Sequence, residues 1–249
     1  MKHYQPLWSA RNFDEFKKVF VDLVECHHLA YKKGEYLHRD ISETNLMIDR
    51  DEDGAAMGVL RDWGLSSTVN SEGVVTSSNV THRTGTYPFL AMGLLRDNPP
   101  AHLYCHDLES FFYILIWAGL HYSFDDKNSN YYVKEEVKSW MDSRRQSWNA
   151  RSSKELVFLL EEYANPLFKQ FHPDFKPLVE QWVRPLWRLF RCALLKANSQ
   201  WHDLTHASDF SSHKSRNTAA AHYFNVTLDE TLTFENFMQA IRENPRQWD

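Results

Sequence analysis

The chain has 249 residues, 43% hydrophobic and 24% charged, with 33 acidic against 28 basic side chains. This is an ordinary globular balance with ample material for one large core. The formal charge of −5 gives no general attraction to nucleic acid or to an anionic membrane. The three cysteines, Cys26, Cys105 and Cys192, are too scattered for a disulfide framework, so an intracellular setting, cytoplasmic or nuclear, is expected.

Taken in chain order, the N-terminus has no apolar signal region. Phe13, Phe16, Phe20, Leu23, Val24 and His27 recur at helical spacing, so a helix is expected over 12–33, capped by Asn12 or Ser9 and ended by Gly34. Tyr36-Leu37-His38 reads as a short strand. Leu46–Asp49 and Met57–Asp62 read as two strands joined by the acidic turn 50–54. Residues 65–83, rich in Ser, Thr and Asn, read as a long loop. A helix over 107–120 is apolar nearly all round and marks the centre of a core. Its apolar run, Phe111–Leu120, is too short to span a bilayer. Further helices are expected near 130–148, 153–163, 175–196 and 233–243, with Pro185 kinking or starting one, and 197–227 irregular. A lone hairpin is marginal in water, so it must pack on the helices. The expected fold class is therefore mainly α with a small β-hairpin sheet (α+β), one domain over 1–243 with a tail at 244–249.

Chemistry concentrates in His38-Arg39-Asp40-Ile41-Ser42-Glu43-Thr44-Asn45, followed across the hairpin by Asp62-Trp63-Gly64. This is H-R-D, four residues, Asn, then D-x-G. Phosphoryl transfer needs one carboxylate at the attacking hydroxyl and hard oxygen ligands on Mg²⁺. Asp40, on a turn after a strand, can orient the nucleophile and take its proton. Asn45, five residues on, can offer its carbonyl oxygen to a metal, and the hairpin returns Asp62 toward the same cleft.

These blocks resemble the C-terminal lobe of protein kinases, with catalytic loop 38–45, D-x-G 62–64, activation segment 62–93 and central helix 107–120. The Arg83-Thr84-Gly85-Thr86-Tyr87-Pro88 segment is, like the catalytic loop, a kinase-wide signal. Two further features point more narrowly to the fungal-type protein kinase family: the His106-Asp107-Leu108-Glu109-Ser110-Phe111 helix and the closing Thr231–Met238 block. The resemblance implies transfer of the ATP γ-phosphate to a protein hydroxyl, with ATP and Mg²⁺ as cofactors and a protein substrate or partner. It implies Asp40 as catalytic base and Asn45 and Asp62 as metal ligands. His38 would pack beneath the loop, and Arg39 would pair with a phosphate on Ser77, Ser78, Thr81 or Thr84. Thr86 would bond toward Asp40, and Asp107 would accept backbone N–H groups of the catalytic loop.

Several positions depart from the kinase pattern. Ser42 stands where most kinases have a γ-phosphate Lys, as is common in the fungal family, and Trp63 is the middle residue of D-x-G. Gly93 stands where the A-P-E segment has Glu, leaving Arg184, Arg188 and Arg191 as candidate arginines without that partner. Only 37 residues precede His38, and no glycine-rich loop, phosphate Lys or αC Glu fits there. The chain alone is expected to bind ATP weakly, as a C-terminal lobe without the ATP-gripping one.

Two alternatives stand beside the kinase reading: a catalytically inactive pseudokinase acting as scaffold or regulator, and a small-molecule kinase of the aminoglycoside or choline type. Arg39, the Gly85-Thr86 segment and the helix at 107 weigh against the latter. The acidic run 49–54 begins like an EF-hand, but Leu60 stands where its Glu should be, so an ordinary hairpin turn is expected. His102, Cys105 and His106 lack a fourth zinc ligand and are expected to be structural. Trp117, Trp182, Trp187 and Phe190 are expected in the core, the arginine stripe on a solvated face, and the three cysteines as buried thiols.

Overall fold

The computed structural model describes residues 3–70, 75, 84–97, 99–125, 133–141, 147–207 and 231–246. Helix α1 (Phe13–Lys32) starts where Asn12 accepts the Glu15 N–H at 2.9 Å, while Glu15 reaches back to the Arg11 N–H. That reciprocal cap satisfies orphan donors of the first turn. The chain leaves α1 through Gly34, where a Cβ would lie 2.7 Å from Ala30 O, and reverses at Glu35, whose φ is 57°.

Strands β1 (Gln5–Pro6), β3 (Leu46–Arg50) and β4 (Ala56–Leu60) form one antiparallel sheet in the order β1-β3-β4. Leu46 pairs with Leu60 and Arg50 with Ala56. The acidic turn closes on Asp51, which accepts the Ala55 N–H at 2.7 Å, with Gly54 at φ 81°. Strand β4 lies against α1 so closely that a Cβ on Gly58 would come within 2.5 Å of Val19 O. Strand β2 (Tyr36–Leu37) pairs with β5 (Ser67–Thr68), so the stretch expected as loop from 65 begins with a paired strand. Neither β1 nor β5 shows a two-residue pattern long enough to read; both exist because neighbouring backbone offers them partners.

Helix α2 (Tyr104–His121) starts three residues before the expected bound, so Asp107 sits within its first turn rather than at its start. It runs through the core, buried from Tyr104 to Leu120. Phe20 of α1 meets Phe111 edge-on at 5.8 Å and Trp182 at 5.7 Å. On the other side Phe112 stacks near Phe158 and Phe190, at 5.3 and 5.2 Å. Burying aromatic rings on this scale is the main favourable term available to the fold. Helices α3 (Glu135–Lys138), α4 (Ser147–Leu159) and α5 (Glu161–Lys169) follow, so the helix expected at 153–163 is split at Leu160. Short α6 (Lys176–Leu178) passes through a π turn, Val179–Val183, into α7 (Arg184–Ala207), with Pro185 as its second residue. The wider turn accommodates a residue that cannot donate to a carbonyl four back. Helix α7 continues to Ala207, overturning the irregular reading over 197–207, while 208–227 lie outside the described residues. Its last turns are polar, so apolar periodicity carried no signal there. Helix α8 (Phe234–Ala240) is capped by Thr233, which accepts the Asn236 N–H at 3.2 Å. This is a mainly helical fold with small antiparallel sheets, the fold class read from the sequence.

Of the expected tail at 244–249, residues 247–249 lie outside the described residues, and Arg246 is held to α1. Arg246 N donates to Glu25 Oε1 at 2.8 Å, and its guanidinium contacts Asp22 Oδ1 at 2.7 Å. Of the cysteines, Cys105 is buried, Cys26 half-buried and Cys192 exposed, which corrects the expectation of three buried thiols. No described helix is long and apolar enough to cross a membrane.

Candidate active site

The loop between β2 and β3 carries Asp40, and its shape is set from below. Arg39 adopts φ 70°, a left-handed conformation that costs a non-glycine residue free energy and persists where surroundings over-determine it. The surroundings here are Asp107, fully buried in α2. Its Oδ2 accepts the Arg39 N–H at 3.1 Å and the His27 Nε2–H at 2.8 Å; its Oδ1 accepts the His102 Nε2–H at 2.7 Å. Burial alone would raise this carboxyl, but the charge and hydrogen bonds of His102 and His27 outweigh it and hold Asp107 well below the usual range.

His38 is buried and fixes the loop from the hairpin side. Its Nε2 donates to Arg61 O at 2.9 Å and its Nδ1 accepts the Asp40 N–H at 3.3 Å, which defines one tautomer. Burial lowers its pKa, so the neutral ring these bonds require is favoured. The Trp63 ring lies against it at 4.6 Å. Glu43, in the same loop, accepts from Trp117 Nε1 at 2.8 Å and from Tyr122 at 3.2 Å, tying the loop to the far end of α2.

Held this way, the Asp40 carboxylate is half-buried and bonded on both oxygens. Oδ1 accepts the Thr86 N–H and the Thr86 hydroxyl, both at 2.9 Å; Oδ2 accepts Asn45 Nδ2 at 3.2 Å. Asn45 Nδ2 also donates to Asp40 O at 2.9 Å. The structure thus brings Asp40, Asn45 and Thr86 into one connected group. Asp62 comes to the same end of the hairpin by a different route. The Arg61 N–H donates to Asn45 O at 2.9 Å, and the chain then turns at Asp62, whose φ is 58°. The Asp62 carboxylate is exposed and accepts the Gly64 N–H at 3.4 Å.

The donor set suits a hard cation. Both amide protons of Asn45 face Asp40, which leaves its oxygen as the outward group, and Asp62 presents a carboxylate that bonds its own turn only weakly. Asn45 and Asp62 are the residues that would hold Mg²⁺. Ser42, by contrast, is buried and its hydroxyl bonds Thr44 at 3.1 Å, so it offers nothing to a phosphate.

Arg39 is buried, and its guanidinium donates to Ser67 while its Nε lacks a partner among the described residues. Of the suggested phosphate acceptors, Ser77, Ser78 and Thr81 lie outside the described residues, and Thr84 has a buried hydroxyl without a partner among them.

Residues 3–118 match the family model described as fungal protein kinase. This part of the chain, a little under half of it, is similar to the fungal protein kinase family. The match covers the catalytic loop, the hairpin, the D-x-G turn and nearly all of α2. No curated protein matches the chain.

The roles of several positions in this region are not legible in the sequence. His27 and His102 read as helix-face and zinc-suspect residues, yet both hold Asp107, while His106 Nδ1 accepts the Leu103 N–H at 3.0 Å. Of the arginines suggested for the vacant A-P-E partner, Arg188 is exposed, and Arg184 and Arg191 make other contacts. Arg184 bonds Glu180 at 2.7 Å and Asn165 at 2.8 Å, and Arg191 lies 5.2 Å from the Trp187 ring. The end of the activation segment is held instead by Glu109 and Lys154. The available signal was the pair of carboxylates, Asp107 and Glu109, on a helix otherwise apolar all round; such charges demand buried partners.

Proposed function

We propose that this chain carries the phosphotransfer face of a protein kinase, moving the ATP γ-phosphate to a protein hydroxyl. The observation that carries the reading is the Asp40 carboxylate, held by Thr86 on one oxygen and Asn45 on the other beside the Asp62 turn. Asp40 orients the acceptor hydroxyl and takes its proton as the bond to phosphorus forms. Thr86 fixes the carboxylate so that one rotamer faces the acceptor. Asn45 and Asp62 would hold Mg²⁺, which when bound would neutralise charge on the phosphates. Arg39 would pair with a phosphate on the activation segment, which would satisfy its Nε, unpartnered among the described residues. The test is phosphate incorporation from labelled ATP into a mixed protein acceptor, comparing the chain with Asp40→Ala. Loss of incorporation in the variant supports the reading; equal incorporation excludes Asp40 as the base.

A pseudokinase is the second reading, favoured by Gly93 at the position where the segment's anchoring Glu would stand. It predicts no incorporation by either protein.

A further inference from the structure

The segment 86–95 links Asp40 to the surface on which a protein acceptor would lie. Its first residue, Thr86, bonds Asp40, and it then makes two tight turns, Tyr87–Phe89 and Met92–Leu95. Where protein kinases secure the end of this segment with a Glu, this chain has Gly93. A Cβ there would sit 3.0 Å from His106 Nε2, so a larger residue at 93 would press on a buried ring.

Two charged side chains from different helices grip the backbone on either side of Ala91. From α2, Glu109 Oε1 accepts the Met92 N–H at 2.8 Å and the Tyr113 hydroxyl at 2.6 Å. From α4, Lys154 Nζ donates to Leu90 O at 2.6 Å and stands 3.9 Å from the centre of the Tyr113 ring. Lys154 is 0% exposed and Glu109 6%. Ionised groups at such depth are expensive unless they are paired and bonded. Burial pushes Glu109 up and Lys154 down to about 7, and the attraction between them opposes both shifts. A buried lysine whose ammonium is spent on a main-chain carbonyl acts on the position of that carbonyl.

We infer that Glu109 and Lys154 are positioning residues that set the acceptor-binding segment and, through Thr86, the Asp40 carboxylate. The pair does here what a Glu at position 93 paired with an arginine would otherwise do. This rests on the phosphotransfer reading for its purpose, but not for its geometry. The grip works through main-chain atoms, so it holds 90–92 whatever side chains the segment displays.

Amide hydrogen exchange tests it without requiring activity. In Glu109→Ala the Met92 amide exchanges at least about tenfold faster, and that of Thr86 follows, while Val24 in α1 is unchanged. Glu109→Gln, which keeps the acceptor oxygen, restores slow exchange at Met92. Lys154→Met accelerates both amides and, where phosphotransfer is measurable, raises the KM for the protein acceptor without changing that for ATP. The inference is overturned if Met92 and Thr86 keep wild-type rates in both Glu109→Ala and Lys154→Met. It is equally overturned if they speed up only in step with Val24, or if Glu109→Gln fails to rescue. Failure of the chain to transfer phosphate would refute the phosphotransfer reading and leave these exchange rates to decide the inference separately.

Discussion

Replacing Asp107 by Asn should cost more than any surface change, and the structure sets the scale. The carboxylate accepts from three buried donors: His27 Nε2, His102 Nε2 and the Arg39 N–H. An Asn at this site has one acceptor oxygen, so its NH₂ end must face at least one of those donors. A buried donor left unmade costs about 1–3 kcal/mol, and breaking a buried charge-assisted pair about 3–5 kcal/mol. We expect a loss of about 3 kcal/mol at pH 7, against a typical total of about 5–15 kcal/mol. The pH dependence has a definite sign. The folded-state pKa of Asp107 lies below its ordinary value of 3.8, so the stability it contributes is present above 3.8 and is lost as pH falls through the folded value. Asp107→Asn should therefore flatten the acid limb of a stability–pH curve. Urea unfolding followed by tryptophan fluorescence, at pH 7 and at points below 3.8, measures both effects. A loss under about 1 kcal/mol at pH 7, or an unchanged acid limb, would mean that the ionised Asp107 does not anchor the loop.

Three further outcomes follow from particular contacts. Thr86→Val keeps the shape and the backbone bond to Asp40 but removes the hydroxyl; phosphotransfer should fall by about tenfold or more with little change in unfolding midpoint. Gly58→Ala should destabilise by about 1–3 kcal/mol, read by thermal unfolding, because the new Cβ would meet the Val19 carbonyl at 2.5 Å and that helix backbone cannot yield cheaply. Asn12→Ala should cost about 1 kcal/mol through loss of the cap on α1, with Asn12→Asp nearly neutral in the same assay.

What the sequence made legible was whatever it encoded locally. The spacing from His38 through Asn45 to Asp62 could be read because the hairpin between them is short and its turn residues are explicit. Helices α1 and α2 could be read because apolar residues recur, or fill every face. The anchors beneath the loop were less visible. Asp107 follows from the resemblance, but that His27 and His102 share it depends on contacts 80 and 5 residues away in the chain. Lys154 was invisible for a different reason. Its partner is a main-chain carbonyl, which every residue possesses, so no side-chain pattern advertises it. The end of α7 escaped because a polar helix has no apolar stripe, and β1 and β5 because two-residue strands are defined by their neighbours.

On the proposed phosphotransfer reading, Asn45 and Asp62 serve one metal-bound phosphate beside Asp40. Paramagnetic broadening by Mn²⁺·ATP, used in place of Mg²⁺·ATP, reads this from the backbone amides. Selective broadening around Asn45 and Asp62 is expected, abolished by Asn45→Ala. Broadening centred instead on the acidic turn at Asp51–Asp53, or surviving Asn45→Ala unchanged, would rule out a shared metal at these two residues.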